Sequence, residues 1–239
     1  MLIEILGTRG EIESSAPWHS RQSGVLVDGS LLLDLGEREY LKRGPDAVLI
    51  THLHPDHAFF VREDAEIDAD MPLFAPEEYT GPVETKKLPE VMEIGSNTIR
   101  AIPTHHSLRV DSAALLIEGG SQRICYTGDM IWINREYHKY LEGIDLVITD
   151  GSFIRKNGMI RRDNKTGKIY GHNGIPDLIR LFSRFTSRIR FVHFGSWFYE
   201  GISEARSRIR ELGKENGVDA RALRDGQEIN LESENDGSG

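Results

Sequence analysis

The first half of the chain is a succession of short apolar stretches separated by polar or glycine-rich turns. Residues 2–6, 24–27, 31–34 and 47–51 have the length and composition of strands, and Asp28-Gly29 suits a hairpin turn between two of them. The pattern recurs at 98–102, 113–117, 123–127 and 146–149, with Gly119-Gly120 as a further turn. Beyond that point the period lengthens. Ile175, Leu178, Ile179, Phe182 and Phe185 fall near a 3.6-residue repeat with Pro176 in the first turn. Ile202, Ala205, Ile209 and Leu212 form a second stripe, with Gly217 just past its end. The apolar run 189–194 between them reads as a strand. Many strands, then helix, strand, helix and strand, predict two β-rich layers with helices outside, an α/β (α+β) arrangement. No repeat or linker interrupts it. Residues 1–231 are therefore expected to form one domain, with the polar stretch 232–239 a disordered tail.

Composition narrows the class. Apolar residues make up 38% of the 239 residues, enough for a core, and charged residues 28%, enough for a solvated surface. No apolar run approaches the roughly 20 residues that span a bilayer. The N-terminus has neither the basic start nor the small-residue cleavage site of a secretory signal. One cysteine, Cys125, excludes an intrachain disulfide. These features point to the cytoplasm and away from membranes, and they leave self-association open. A net charge of −9 argues against a general nucleic-acid binder, because neutralising phosphates needs clustered Lys and Arg. Any nucleic-acid contact has to come from a local basic patch.

The sharpest chemical signal is Thr51-His52-Leu53-His54-Pro55-Asp56-His57, directly after an apolar strand. On an extended chain end, residues two apart point to the same side, so His52 and His54 pair. Asp56 and His57 follow on the turn beyond Pro55. Two pairs of ligands can thus face two neighbouring metal positions. Imidazole with carboxylate favours zinc, and manganese, iron and cobalt are compatible.

His-Leu-His-Pro-Asp-His resembles the HxHxDH motif of the metallo-β-lactamase superfamily. The later segments Pro103-Thr104-His105-His106-Ser107, Tyr126-Thr127-Gly128-Asp129 and Phe191-Val192-His193-Phe194-Gly195 follow in the order of that family's remaining ligands. The resemblance spans roughly residues 1 to 230. It implies a four-layer αββα sandwich in which His52, His54 and His106 hold one metal, Asp56, His57 and His193 hold a second, and Asp129 bridges them. His105 competes with His106 for the third position; the family's common His-Ser pairing favours His106 and leaves His105 to orient a ligand or face substrate.

Two adjacent metals activate water against esters, thioesters, lactones or phosphodiesters alike. Three features lean toward phosphodiesters. His172, in Tyr170-Gly171-His172-Asn173-Gly174, resembles in place the general acid of tRNA 3′-processing ribonucleases and related phosphodiesterases; with Asp56 it is the candidate catalytic residue. The segment 155–168 carries six cations against one acid, so Arg155, Lys156, Arg161 and Arg162, with His105, are candidate substrate contacts. Third, Pro-Thr-His-His-Ser is unlike the Pro-Gly-His-Thr of glyoxalase II-type thioesterases. The ribonucleases' protruding arm has no counterpart of comparable size here, and Pro55 stands where they commonly have Gly. The expectation is therefore a zinc-dependent phosphodiesterase for small or cyclic phosphodiesters or RNA ends. A thioesterase or lactonase of the same fold is the first alternative, and a non-catalytic metal-binding protein the second.

Overall fold

The computed structural model describes residues 1–62, 67, 71–81 and 83–232. Two large sheets pack face to face. One has seven strands in the order Gln227–Asn230, Leu2–Gly7, Gly24–Val27, Leu31–Leu33, Ala47–Leu49, Leu73–Ala75 and Lys86–Lys87. The other has eight. Trp132–Ile133, Asn97–His105, Ala113–Gly119, Gln122–Tyr126, Leu146–Asp150, Arg188–Val192 and Asp219–Ala222 run in that order, and Val91–Ile94 also pairs with Asn97–His105.

Alternation of apolar side chains along each strand builds three buried layers. Between the sheets, Ile3, Ile5, Val25, Val27, Leu31, Leu33 and Leu49 meet Ile99, Leu115, Ile117, Ile124, Leu146 and Ile148. Burying each such side chain contributes roughly 1.5–3 kcal/mol. On the outer face of the second sheet, Val147, Ile189 and Phe191 receive the apolar stripes of helices Ile175–Phe182 and Ile202–Glu215. The outer face of the first sheet is covered by the short 3-10 helices Arg38–Arg43 and Phe59–Val61, through Tyr40, Phe59 and Phe60. This is the α/β sandwich that the resemblance implied, with no α-helix in the layer over the first sheet among the described residues.

All the strands and both helices expected from the pattern are present, with ends shifted by a few residues. Asp28 and Gly29 do turn with positive φ (49° and 71°). The first helix stops at Phe182 rather than running to Phe185. The segment 155–168 contributes to a separate two-stranded hairpin, Met159–Arg162 against Ile169–His172. The short strands Val91–Ile94 and Trp132–Ile133 gave no pattern, because the first has no fully buried residue and the second is only two residues long. Of the tail expected at 232–239, Glu232 is described and reaches the N-terminal ammonium at 3.5 Å; 233–239 lie outside the described residues.

Candidate metal centre

The site lies where strands end. The 52–57 segment follows Ala47–Leu49, His106 follows Asn97–His105, Asp129 comes three residues after Gln122–Tyr126, and His193 follows Arg188–Val192. Asp150 closes Leu146–Asp150 and His172 closes the hairpin strand Ile169–His172. Parallel pairing of Gln122–Tyr126, Leu146–Asp150 and Arg188–Val192 brings three of these ends side by side.

His52, His54 and His106 converge at one corner. His52 Nε2 lies 3.1 Å and His106 Nε2 3.2 Å from His54 Nδ1. Those spacings are close to the ~3.3 Å edge expected for nitrogens around one tetrahedral zinc at 2.0–2.1 Å. His106 Nδ1 donates to the Gly171 carbonyl at 3.0 Å, which leaves its Nε2 lone pair facing the corner. Burial pushes the His52 and His54 imidazoles below their ordinary value and takes His106 down to about 4.

Asp56, His57, Asp129 and His193 converge beside them. His193 Nε2 donates to Asp56 Oδ2 at 2.8 Å, and His193 Nδ1 lies 3.1 Å and His57 Nε2 3.4 Å from Asp129 Oδ1. Burial here also opposes charge on the two histidines, but it is outweighed by Asp129 and the neighbouring carboxylates. His57 is raised to about 10 and His193 well above the ordinary range. Burial likewise pushes the Asp129 carboxyl up, but His193, His57 and His172 outweigh it and hold it well below its usual value. Asp129 stands between the two corners: its Oδ2 is 3.8 Å from both His52 Nε2 and His106 Nε2. Its Oδ1 is fully buried and accepts no hydrogen bond among the described residues. An orphaned, buried carboxylate oxygen ringed by imidazole nitrogens is the donor set of a bound cation. The residues present fit a divalent metal centre.

Strained backbone supports this geometry. His193 and Asp34 sit at φ 56° and 60°, a region non-glycine residues rarely enter. Gly128 is left-handed at φ 55°, and a Cβ there would lie 2.4 Å from Thr51 Oγ1; only glycine lets Asp129 approach the 52–57 turn.

Two residues that the motif reading left out belong to the site. Asp34 accepts from Thr51 N (2.7 Å), His57 Nδ1 (2.6 Å) and the Tyr126 hydroxyl (2.7 Å), fixing the orientation of His57. Asp150 accepts from His172 Nδ1 at 2.8 Å and from the Ser152 hydroxyl at 2.6 Å; that same hydroxyl is 2.9 Å from His193 Nδ1. Both aspartates end apolar strands, as Asp129 nearly does, and that shared position was the only available signal. Asp129, Asp150, His172 and His193 also form a third converging group, so His172 sits against the cluster, stacked on His193 at 5.8 Å.

The remaining candidates divide. His105 turns away from the cluster: its Nε2 is 2.9 Å from Asn134 Oδ1 and its ring meets Trp132 edge-on. It lines a cavity of about 810 Å³ next to the site, together with Arg162. Arg155, Lys156 and Arg161 are exposed on the hairpin side and do not line that cavity. Arg155 instead lies over the Phe153 ring and donates to the Gly158 carbonyl.

The fold and this cluster define a metallo-β-lactamase-type domain. The chain belongs to the beta-lactamase superfamily, whose domain it matches over residues 26–194. No curated protein matches it significantly. Among solved structures it resembles the metallo-beta-lactamase fold protein YhfI from Bacillus subtilis (TM-score 0.69, 18% identity, covering 95% of this chain and 98% of that one). It also resembles the short form of human tRNase Z (0.62, 17%, 97% and 99%) and a diphosphatase of the PhnP family (0.62, 14%, 96% and 97%). Identities this low establish the fold and nothing finer. No helix among the described residues is long and apolar enough to cross a membrane.

Proposed function

We propose that this protein is a dinuclear metal phosphodiesterase. His52, His54 and His106 would hold one divalent ion and Asp56, His57 and His193 a second, with Asp129 facing both; zinc suits this mixture of imidazole and carboxylate. When bound, such ions lower the pKa of a water toward neutrality and offset the charge that develops on a phosphoryl oxygen. Asp34 and Asp150 orient His57 and His172, and Ser152 holds the ring of His193.

The observation that carries this reading is the position of His172. Its side chain is 17% exposed at the edge of a cluster in which, His54 apart, the other candidate ligands are buried. Nδ1 donates to the buried Asp150, and Nε2 has no hydrogen-bond partner among the described residues. Asp150 stabilises the imidazolium, whose Nε2 proton can pass to a departing alkoxide. A thiolate leaves without such help, so a general acid here fits a phosphodiester better than a thioester. A human tRNase Z and a PhnP-family diphosphatase share the fold, and both names denote cleavage at phosphorus, which supports a phosphoryl substrate. An RNA end or a small or cyclic phosphodiester matches a chain with no large substrate-binding arm among the described residues.

The test compares leaving groups. His172→Ala is expected to slow hydrolysis of an alkyl phosphodiester by roughly 10²–10⁴-fold and to change bis(p-nitrophenyl) phosphate turnover little, because p-nitrophenolate needs no protonation. Equal effects on both would remove the acid role. A wild type inert toward both esters but active on a thioester or lactone would overturn the phosphodiesterase reading.

A further inference from the structure

The 810 Å³ cavity beside the cluster has no part in the chemistry above, and it is large enough for a nucleotide-sized group. It shares its wall with the site. His105 and Ser107, which flank His106, line it; so does Ser112, which bridges to His52 across an isolated pair. None of the seven candidate ligands lines it, so it is a chamber next to the metals rather than the metal pocket itself.

Two features of its lining point to a ligand. The first is Trp132, 47% exposed although it sits in a strand paired to Asn97–His105. Its ring is braced edge-on by His105 at 5.6 Å, and His105 is in turn held by Asn134. A large aromatic face kept in place and left open to solvent is a stacking platform. The second is charge. Lys87, Arg162 and Lys168 line the cavity against Glu90 and Asp111, and Glu90 is already paired with Arg100 at 2.8 Å. Arg162 is tethered over its own hairpin by a 2.7 Å bond to the Gly167 carbonyl. The hairpin is itself docked on the site: Gly171 N donates to the His106 carbonyl at 2.7 Å while Gly171 O accepts from His106 Nδ1. Arg162 and Lys168, both on this hairpin, are therefore placed at a fixed offset from a candidate metal ligand.

We infer that this cavity is a specificity subsite that takes the ester arm of the substrate when that arm carries a flat aromatic ring and a second anionic group, as a nucleotide does. Trp132 stacks on the ring, and Arg162 and Lys168 meet the second anion. This rests on the phosphodiesterase reading for its orientation toward the metals, but the binding itself does not need turnover.

Three chromogenic esters separate the parts: p-nitrophenyl methyl phosphate, p-nitrophenyl thymidine 5′-phosphate, and thymidine 3′-phosphate 5′-(p-nitrophenyl phosphate). KM is expected to fall at each step, by roughly ten-fold or more when the ring is added. Trp132→Ala is expected to remove the first step, Trp132→Phe to retain most of it, and the double variant Arg162→Ala/Lys168→Ala to remove the second. Calorimetric titration of thymidine 3′,5′-bisphosphate into the unmutated protein is expected to show binding that Trp132→Ala weakens by a similar factor. Equal KM values for the three esters with no binding of the bisphosphate would overturn the subsite and leave the phosphodiesterase reading intact. Binding that depends on Trp132, in a protein that turns over none of the esters, would support the subsite and count against that reading.

Discussion

The two corners of the centre use the same side chains under opposite electrostatics. At the corner of His52, His54 and His106, Asp129 Oδ2 stands 3.8 Å from both His52 and His106, and burial keeps the imidazoles neutral. At the corner of Asp56, His57 and His193 the histidines lie within 2.6–3.8 Å of carboxylate oxygens and are held in the charged form. One corner has unshared nitrogen lone pairs without counter-charge. The other has charges that already compensate one another. On the dinuclear reading proposed above, a cation at the first corner would take up its nitrogen lone pairs, and one at the second would be held mainly by the carboxylates that face its histidines. Asp129, touching both, is where the two arrangements depend on each other.

That comparison is most easily broken at Asp129. Asp129→Ala is expected to lose metal from both corners and to lower kcat/KM by at least about 10³-fold, since several kcal/mol of charge stabilisation go with it. Elemental analysis of the purified variant checks this, and two retained ions would end the bridging assignment. His54→Ala should separate the corners. Only the histidine corner loses its ligand, so bound metal should fall from about two ions per chain to about one. Loss of both would mean that the corners are a single site.

Asp34→Asn addresses the support behind the charged corner. It leaves His57 buried without its closest carboxylate, for which roughly 3–5 kcal/mol of stability and a 10–100-fold loss of metal affinity are expected. Denaturant midpoints and metal titration measure the two effects, and an unchanged affinity would place Asp34 in folding alone.

The smallest effect concerns a control outside the centre. His19 is a buried histidine whose pKa burial lowers to about 4, much as for His106, although Asp225 opposes the shift. Below pH 6.5 the unfolded chain takes up a proton that the folded chain refuses until about pH 4, so His19 should cost stability as pH falls through that window. Urea midpoints of chelator-treated protein between pH 7 and 4.5 should fall more steeply for the unmutated chain than for His19→Gln. Parallel curves would show that burial alone does not hold such an imidazole neutral.

Most of the architecture and the larger part of the centre were legible in the linear chain. Short apolar runs and helical stripes foretold the order of elements because periodicity reports burial directly. His52, His54, Asp56 and His57 could be read together because they share one turn, so their convergence needs no distant contact. The family pattern then placed His106, Asp129 and His193 in order, without saying how their nitrogens and oxygens would face.

What remained was decided by strand pairing. Asp34 and Asp150 look like any acid at the end of an apolar run; they acquire a role only when the sheets set Asp34 against His57 and Tyr126, and Asp150 against His172. The choice between His105 and His106 turns on which of two neighbouring side chains an extended strand sends inward, which its sequence does not state. The basic segment shows the same limit. Its charge was visible in the sequence, but only the docking of its hairpin on His106 aims Arg162 into the cavity and leaves Arg155, Lys156 and Arg161 outside it. Composition and period are local properties of a chain, whereas the direction of a side chain relative to residues a hundred positions away exists only after the chain has closed on itself.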